Sequence, residues 1–367
     1  MAGTTTLKAH DVSRASMRLR FERAPERIAV FRALHFGDLL CAVPALRALR
    51  AAFPRARVTL VGLPWAEEFV RRFRHYLDDF LPFPGGQGLP ERDATEAETE
   101  AYERAARSRR FDLALQLHGD GRYANAIVSA MGARRIAGFH PVGACCPEPD
   151  WFLPYPETEP EVRRLLRLLE FLGIPGRGEE LEFPIAAEEW RAAAALRLRF
   201  GLQPGRYACV HPGARVPARR WCIERFAHVA DRLAARGLRI VLTGMRDEAP
   251  ITEAVRRNML CSCVDLAGRA QGGTLAALLT GARLLVCNDT GISHVAAALR
   301  VPSVVIFTGS SPARWAPADG ARHRAVVHEV PCRPCAHWRC PIGQPCAEKV
   351  SADAVMREAS ALLSAPV

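Results

Sequence analysis

The chain has 367 residues, 49% of them apolar, and a formal net charge of +11. That length is too great for one ordinary core and suits two domains, and a charged fraction of 24% argues against wholesale disorder. No apolar run is long enough to span a bilayer, and the opening up to Arg27 lacks the apolar stretch and cleavage site of a secretory signal.

In chain order, residues 1–26 are expected to be a mobile tail. Arg27 to Phe31 reads as a buried strand. Leu39, Ala42, Val43, Leu46 and Leu49 then recur at a helical period over Asp38 to Phe53. Pro44 is tolerable early in that helix, and Pro54 marks its end. Val58 to Val61 is a second strand, followed by a helix from about Trp65 to Tyr76. Asp112 to Leu117 is a third strand, leading into the loop His118 to Arg122. The acidic stretch near Glu91 to Glu103 is the nearest thing to low complexity. The pattern weakens from Gly138 to Pro160, and a helix covers Glu161 to Leu172. The Gly/Pro/Glu-rich segment Gly173 to Pro184 is the best candidate for an interdomain linker. A second series of strands covers Tyr207 to His211, Leu238 to Leu242, Arg283 to Cys287 and Ser303 to Phe307, before a last helix over Ala352 to Leu363.

Alternating strands and helices imply parallel sheets covered on both faces. The expected fold class is α/β, two Rossmann-like doubly wound domains facing a central cleft. The divisions read as 27–180, 181–330 and a cysteine-containing loop with the C-terminal helix over 331–367. Ligands in such folds bind beyond the carboxyl ends of the strands, and the informative motifs stand there.

Gly37-Asp38 follows the first strand and opens a helix. Capping alone would explain Asp38; in a cleft that excludes water the same carboxylate could take a proton from a hydroxyl. Asn288-Asp289-Thr290-Gly291 with His294 again follows a strand and opens a helix, where first-turn N–H groups favour an anion. Gly213, in the turn after Tyr207 to His211, is followed by Arg215 and Arg219, a candidate pyrophosphate clamp or a solvated basic loop. Asp247 and Glu248, after the next strand, suit ribose hydroxyls or a helix N-terminus. The arginines are spread over helix faces, and the chain lacks the aromatic interleaving of a nucleic-acid binder.

Of the 12 cysteines, four cluster as Cys332, Cys335, Cys340 and Cys346. Four thiolates can hold a structural zinc or iron, with no position left open for catalysis; reduced or variably oxidised loop thiols are the other reading.

Five segments in order resemble the bacterial heptosyltransferase family, glycosyltransferase family 9. They are the opening strand with Gly37-Asp38 and Pro44-Ala45-Leu46; Arg219-Arg220-Trp221 with Glu224-Arg225-Phe226; Leu266-Ala267-Gly268 with Thr274 to Leu278; Asn288 to His294 through Ala296 to Leu299 and Pro302; and the cysteine tail, which is similar to heptosyltransferase II-like members. The resemblance implies a GT-B fold and an inverting, metal-independent, cytoplasmic enzyme, peripheral on the inner membrane. Its donor would be ADP-heptose and its acceptor a phosphorylated lipid A-core of lipopolysaccharide. Asp38 would be the base, and Arg219, Asp289, Thr290, Gly291 and His294 would grip the donor. Arg219 stands where the family usually has Lys, and Arg215 where some members carry a small hydroxyl residue. Arg32, His118, Asp120 and Arg122 follow strands and are the expected acceptor contacts. The alternatives are a protein (autotransporter) heptosyltransferase, a family member using another nucleotide sugar, and a catalytically silent nucleotide-sugar binding module.

Overall fold

The computed structural model describes residues 23–86, 89 and 92–364. Among them, twelve strands form two six-stranded sheets. The first holds β1 (Arg27–Phe31), β2 (Arg57–Gly62), β3 (Asp79–Pro82), β4 (Leu113–Gln116), β5 (Arg135–His140) and β6 (Phe152–Pro154). The second holds β7 (Tyr207–His211), β8 (Arg239–Leu242), β9 (Cys263–Asp265), β10 (Leu284–Asn288), β11 (Ser303–Phe307) and β12 (His323–Val327). Their orders are β3-β2-β1-β4-β5-β6 and β12-β11-β10-β7-β8-β9, with every neighbouring pair parallel. The two sheets therefore have the same order, and the chain changes direction across each sheet at β1/β4 and at β7/β10. A crevice opens at such a point, beyond the carboxyl ends of the strands.

The central strands read as continuous apolar runs because helices cover both faces. Val30 sits in register with Leu60 and Leu115, and Val286 with Val210 and Val304. The helix Phe36–Ala52 runs on past Pro44. An interior proline costs about 3 kcal/mol. Leu39, Leu40, Val43, Leu46 and Leu49 are all buried, at about 1.5–3 kcal/mol per large apolar side chain, so packing outweighs the lost backbone bond. This helix is buried nearly all round because it packs on the helices Glu161–Phe171 and Gly291–Ala298 as well as on the sheet.

Several expectations shift. Residues 1–22 of the expected tail lie outside the described residues, and the N–H groups of Glu26 and Arg27 donate to Asp112, so the chain is pinned from there on. The helix expected over Trp65 to Tyr76 is a single 3-10 turn, Pro64–Ala66, followed by Glu67–Arg72. The chain then bends so that Phe73 and Leu77 both reach the core. β5 continues through Gly138, where the sequence pattern weakens. A Cβ there would stand 2.7 Å from the Gln116 Cβ, so this glycine permits close strand packing instead of breaking the strand. The Gly173 to Pro184 segment is strapped to the first domain: Arg47 donates to Glu182 at 2.7 Å and to the Arg177 carbonyl at 3.1 Å.

Candidate active site

At the carboxyl end of β1 the chain turns through His35 into the helix Phe36–Ala52. The Asp38 carboxylate accepts the His35 N–H at 3.1 Å, a local bond that fixes its rotamer. Burial pushes the Asp38 carboxyl above the ordinary aspartate range, and Arg32 partly offsets this. At the carboxyl end of β10, Asn288 is fully buried. Its Oδ1 accepts the Trp221 N–H at 3.0 Å and its amide donates to the Pro212 carbonyl at 2.8 Å. One side chain thereby pins the β7 turn and the Arg219-Arg220-Trp221 segment to the β10 turn. Asp289 is buried and accepts the Ser310 hydroxyl. Burial raises its carboxyl, and the Ser310 bond, His294 and Arg219 act against that rise. Thr290 precedes the helix Gly291–Ala298 in extended backbone and its side chain makes no capping bond; the Ser293 N–H donates to the Thr290 carbonyl at 2.9 Å, and the N–H groups of Gly291 and Ile292 ahead of it have no carbonyl within the helix to serve them.

The two turns meet. A Cβ on Gly37 would lie 2.9 Å from the Gly291 Cα and 3.0 Å from the His294 ring. His294 is buried, within 3.8 Å of the Cys41 thiol on the opposite helix, and burial lowers its basicity. Asp38 and Asp289 thus flank one floor, each at the head of its own helix.

Arg219 ends the short turn Pro217–Arg219. That turn is held from behind, the Gln344 amide donating to the carbonyls of Ala218 and Arg220 at 3.0 and 2.8 Å. The Arg219 guanidinium makes no hydrogen bond or ion pair with a described residue, although its charge is felt by both Asp289 and His35. Arg215 is exposed and bonds His35 across the cleft. Burial and then Arg215 lower His35's basicity, which favours a neutral ring beside Asp38. Gly213 makes room for a carboxylate: a Cβ there would stand 2.3 Å from Glu248 Cδ. Glu248 is buried, accepts the Met245 N–H at 2.8 Å and lies 3.5 Å from His211. Asp247 beside it is exposed.

The expected acceptor residues divide. Arg32 is 1% exposed and fully engaged, donating to the Asp38 and Leu117 carbonyls and to Glu161. It is not available to a ligand, because the buried Glu161 draws it inward. His118 is also a brace. Its Nδ1 accepts the Ala33 N–H at 3.2 Å, and burial, with Arg32 nearby, pushes its pKa down to about 4. Asp120 caps the Arg122 N–H at 3.0 Å. Arg122 is exposed at the rim of a cavity of about 520 Å³, lined also by Asn125, His140, Val142 and Cys145.

The four clustered cysteines do not converge. Among the described residues no three Cys, His, Asp or Glu side chains are grouped to hold a metal, which leaves the zinc or iron reading without support. Cys332 is exposed while Cys346 is buried. The loop serves as packing, with Arg333 donating to the Thr308 carbonyl at 2.8 Å and Gln344 supporting the Arg219 turn.

Three residues escaped the sequence reading. Glu161 looks like an ordinary first-turn acid after Pro160, and Ser310 and Arg314 lie in an undistinguished stretch after β11. Apart from Arg164, three residues after Glu161, their partners are 21 to 153 residues away, so local pattern carries little trace of them.

The glycosyltransferase family 9 (heptosyltransferase) model matches residues 100–345. The chain belongs to this family. As a family 9 protein it is a glycosyltransferase, and its two matched sheets are the GT-B architecture. It is 25% identical over 296 residues to lipopolysaccharide heptosyltransferase 2 of Escherichia coli (strain K12), covering 75% of this chain and 81% of that one. A glycosyl transferase family 9 structure from Veillonella parvula superposes with a TM-score of 0.72 at 23% identity, covering 92% of this chain and 97% of that one. The E. coli ADP-heptose lps heptosyltransferase II structure does so with a TM-score of 0.68 at 21% identity, covering 92% and 98%. Among the described residues of this family 9 enzyme, no helix is long and apolar enough to cross a membrane.

Proposed function

We propose that the enzyme transfers a heptose from ADP-heptose to a lipopolysaccharide core acceptor with inversion, Asp38 acting as general base. The observation that carries this reading is the contact of Gly37 with Gly291, which sets Asp38 and the Asp289 turn on one floor. The relatives' names supply the donor and acceptor class.

In this reading the diphosphate lies over the first turn of Gly291–Ala298. Its N–H groups and the helix dipole favour the anion, and Arg219 supplies an uncommitted guanidinium. Asp289 would repel a phosphate, so its carboxylate suits the turn and sugar hydroxyls. Glu248, held by Met245 and His211, suits ribose hydroxyls. The acceptor approaches from the side of β4 and β5, where Arg122 rims the cavity and can meet an anionic sugar or phosphate. Asp38 takes the proton of the attacking hydroxyl as its oxygen bonds the sugar C1 and the bond to the diphosphate breaks on the opposite face. Burial makes Asp38 a stronger base than a solvated carboxylate. The charge developing on the diphosphate meets donors already in place. Membrane access would be peripheral, through the acceptor, and the reaction runs on these side chains without a catalytic metal.

The test is mass spectrometry of deep-rough core lipid incubated with the enzyme and ADP-heptose, with UDP- and GDP-sugars as parallel donors. Addition of one heptose from ADP-heptose supports the reading. Transfer from another donor alone would reassign the sugar, and transfer from none would sink it.

A further inference from the structure

Glu161 opens the helix Glu161–Phe171 of the first domain, and its side chain is 3% exposed. Its Oε1 accepts Arg32 Nη2 at 2.9 Å. Its Oε2 accepts Arg164 Nη1 at 2.6 Å and Arg314 Nε at 2.9 Å. Arg164 sits in a closed cage: the carbonyls of Pro156, Glu157 and Glu159 and the Tyr155 hydroxyl accept its remaining N–H groups. One guanidinium neutralises one carboxylate, and Arg164 supplies it; Arg32 serves Oε1 and Arg314 shares Oε2. Arg32 and Arg314 thus bring more positive charge than neutrality of Glu161 requires, and both lead to the reaction centre. Arg32 Nε donates to the Asp38 carbonyl at 2.9 Å. Arg314 comes from the other domain, on the short helix Pro312–Trp315. That helix follows directly on Ser310, whose hydroxyl holds Asp289.

We infer that Glu161 is a positioning residue that latches the donor-side segment from Ser310 to Trp315 onto the turn carrying Asp38. This rests on Asp38 being the base. The latch runs from Asp289 through Ser310, Arg314, Glu161 and Arg32 to Asp38, so the spacing of the two carboxylates is set by a buried carboxylate that touches neither substrate. It also sets the charge around the base. The groups facing Asp38 are Arg32 and His35 from the β1 turn, Cys41 on its own helix, Glu161, Arg314 and Asp289. Arg215 and Arg219 reach it by way of His35. Within this set Glu161 favours the protonated form of Asp38, and Arg314 favours the ionised form.

The two arms of the latch therefore predict opposite effects. Glu161→Gln unmasks positive charge, and the acid limb of the turnover profile moves to lower pH. Arg314→Gln removes positive charge, and the limb moves up, while Arg314→Lys returns it toward the parent position. Turnover at the optimum falls about tenfold in both Gln variants because the segment loosens. Arg314→Gln leaves Glu161 paired with Arg32 and Arg164, so it stays informative if Glu161→Gln does not fold. Asp38→Asn is assayed beside them. Opposite shifts with an inactive Asp38→Asn support the latch. An inactive Asp38→Asn with an unmoved limb in Arg314→Gln, or limbs moving the same way, overturns the latch and leaves the base standing. An active Asp38→Asn overturns both.

Discussion

Gly37 and Gly291, each in the first turn of a helix from a different domain, lie in backbone contact: a Cβ on Gly37 would stand 2.9 Å from the Gly291 Cα, while one on Gly291 would meet Gly37 N at an ordinary 3.4 Å. Neither has the positive φ that would demand glycine for conformational reasons, so the requirement at Gly37 is steric. Gly37→Ala should push the two helix ends apart. The fold should survive at a cost of about 1–3 kcal/mol, the usual penalty for overpacking. Turnover should fall by more than about tenfold, because displacement of this order at a reaction centre is enough. Thermal melting read beside initial rates checks both parts; a variant with parental turnover would mean that the contact does not set the site.

Asp38→Asn should lower turnover by a factor of about 10²–10⁴, the span of a lost general base, while ADP affinity stays nearly constant. Its effect on stability should have the opposite sign. Burial holds the folded-state pKa of Asp38 above its unfolded value, so ionising it costs the folded state stability as pH rises through that range. A neutral amide can still accept the His35 N–H. The variant should therefore melt at the same temperature or higher at neutral pH, and the difference should vanish in acid. A lower melting temperature at neutral pH would count against the raised pKa. In the parent enzyme, turnover should fall as pH drops through a value above the ordinary aspartate range.

Arg219→Ala should weaken ADP binding by about tenfold or more, as expected for losing a charge-assisted bond to a phosphate. Arg219→Lys should recover part of the loss, since it keeps the charge and loses the fork. Calorimetric titration with ADP at two salt concentrations decides it: affinity unchanged in the Ala variant removes the clamp.

Gly213→Ala should act on the nucleoside end. The new Cβ would fall on the Glu248 carboxylate, displacing it from Met245 and His211. The donor KM should rise severalfold with turnover at saturating donor largely preserved. A fall in turnover with unchanged donor KM would take Glu248 out of donor binding.

The sequence already marks β1, β7, β10 and β11 because central parallel strands are apolar throughout, and it marks both Gly-containing turns because strand, turn and helix start are adjacent in the chain. β3, β6 and β9 are only three or four residues long and leave no period to read. In β5, Gly138 looks like a breaker until Gln116 is seen packed on it. Arg32 shows the same limit at the site. Its place after β1 suggests a ligand contact, and only Glu161, 129 residues on, turns it inward. Four cysteines within fifteen residues suggest a metal, yet the bonds this loop makes to Thr308 and to the Arg219 turn come from its Arg333 and Gln344. Local order was legible, and pairings made across long stretches of chain were not.

Asp38 and the Asp289 turn should act as one transfer site. The most direct measurement is product formation from ADP-heptose and deep-rough core lipid by the parent enzyme and Asp38→Asn, both saturated with donor and read by mass spectrometry. The parent enzyme should add one heptose, and the variant should add it at least about a hundredfold more slowly, although it still binds ADP. Equal product from the two enzymes would contradict it.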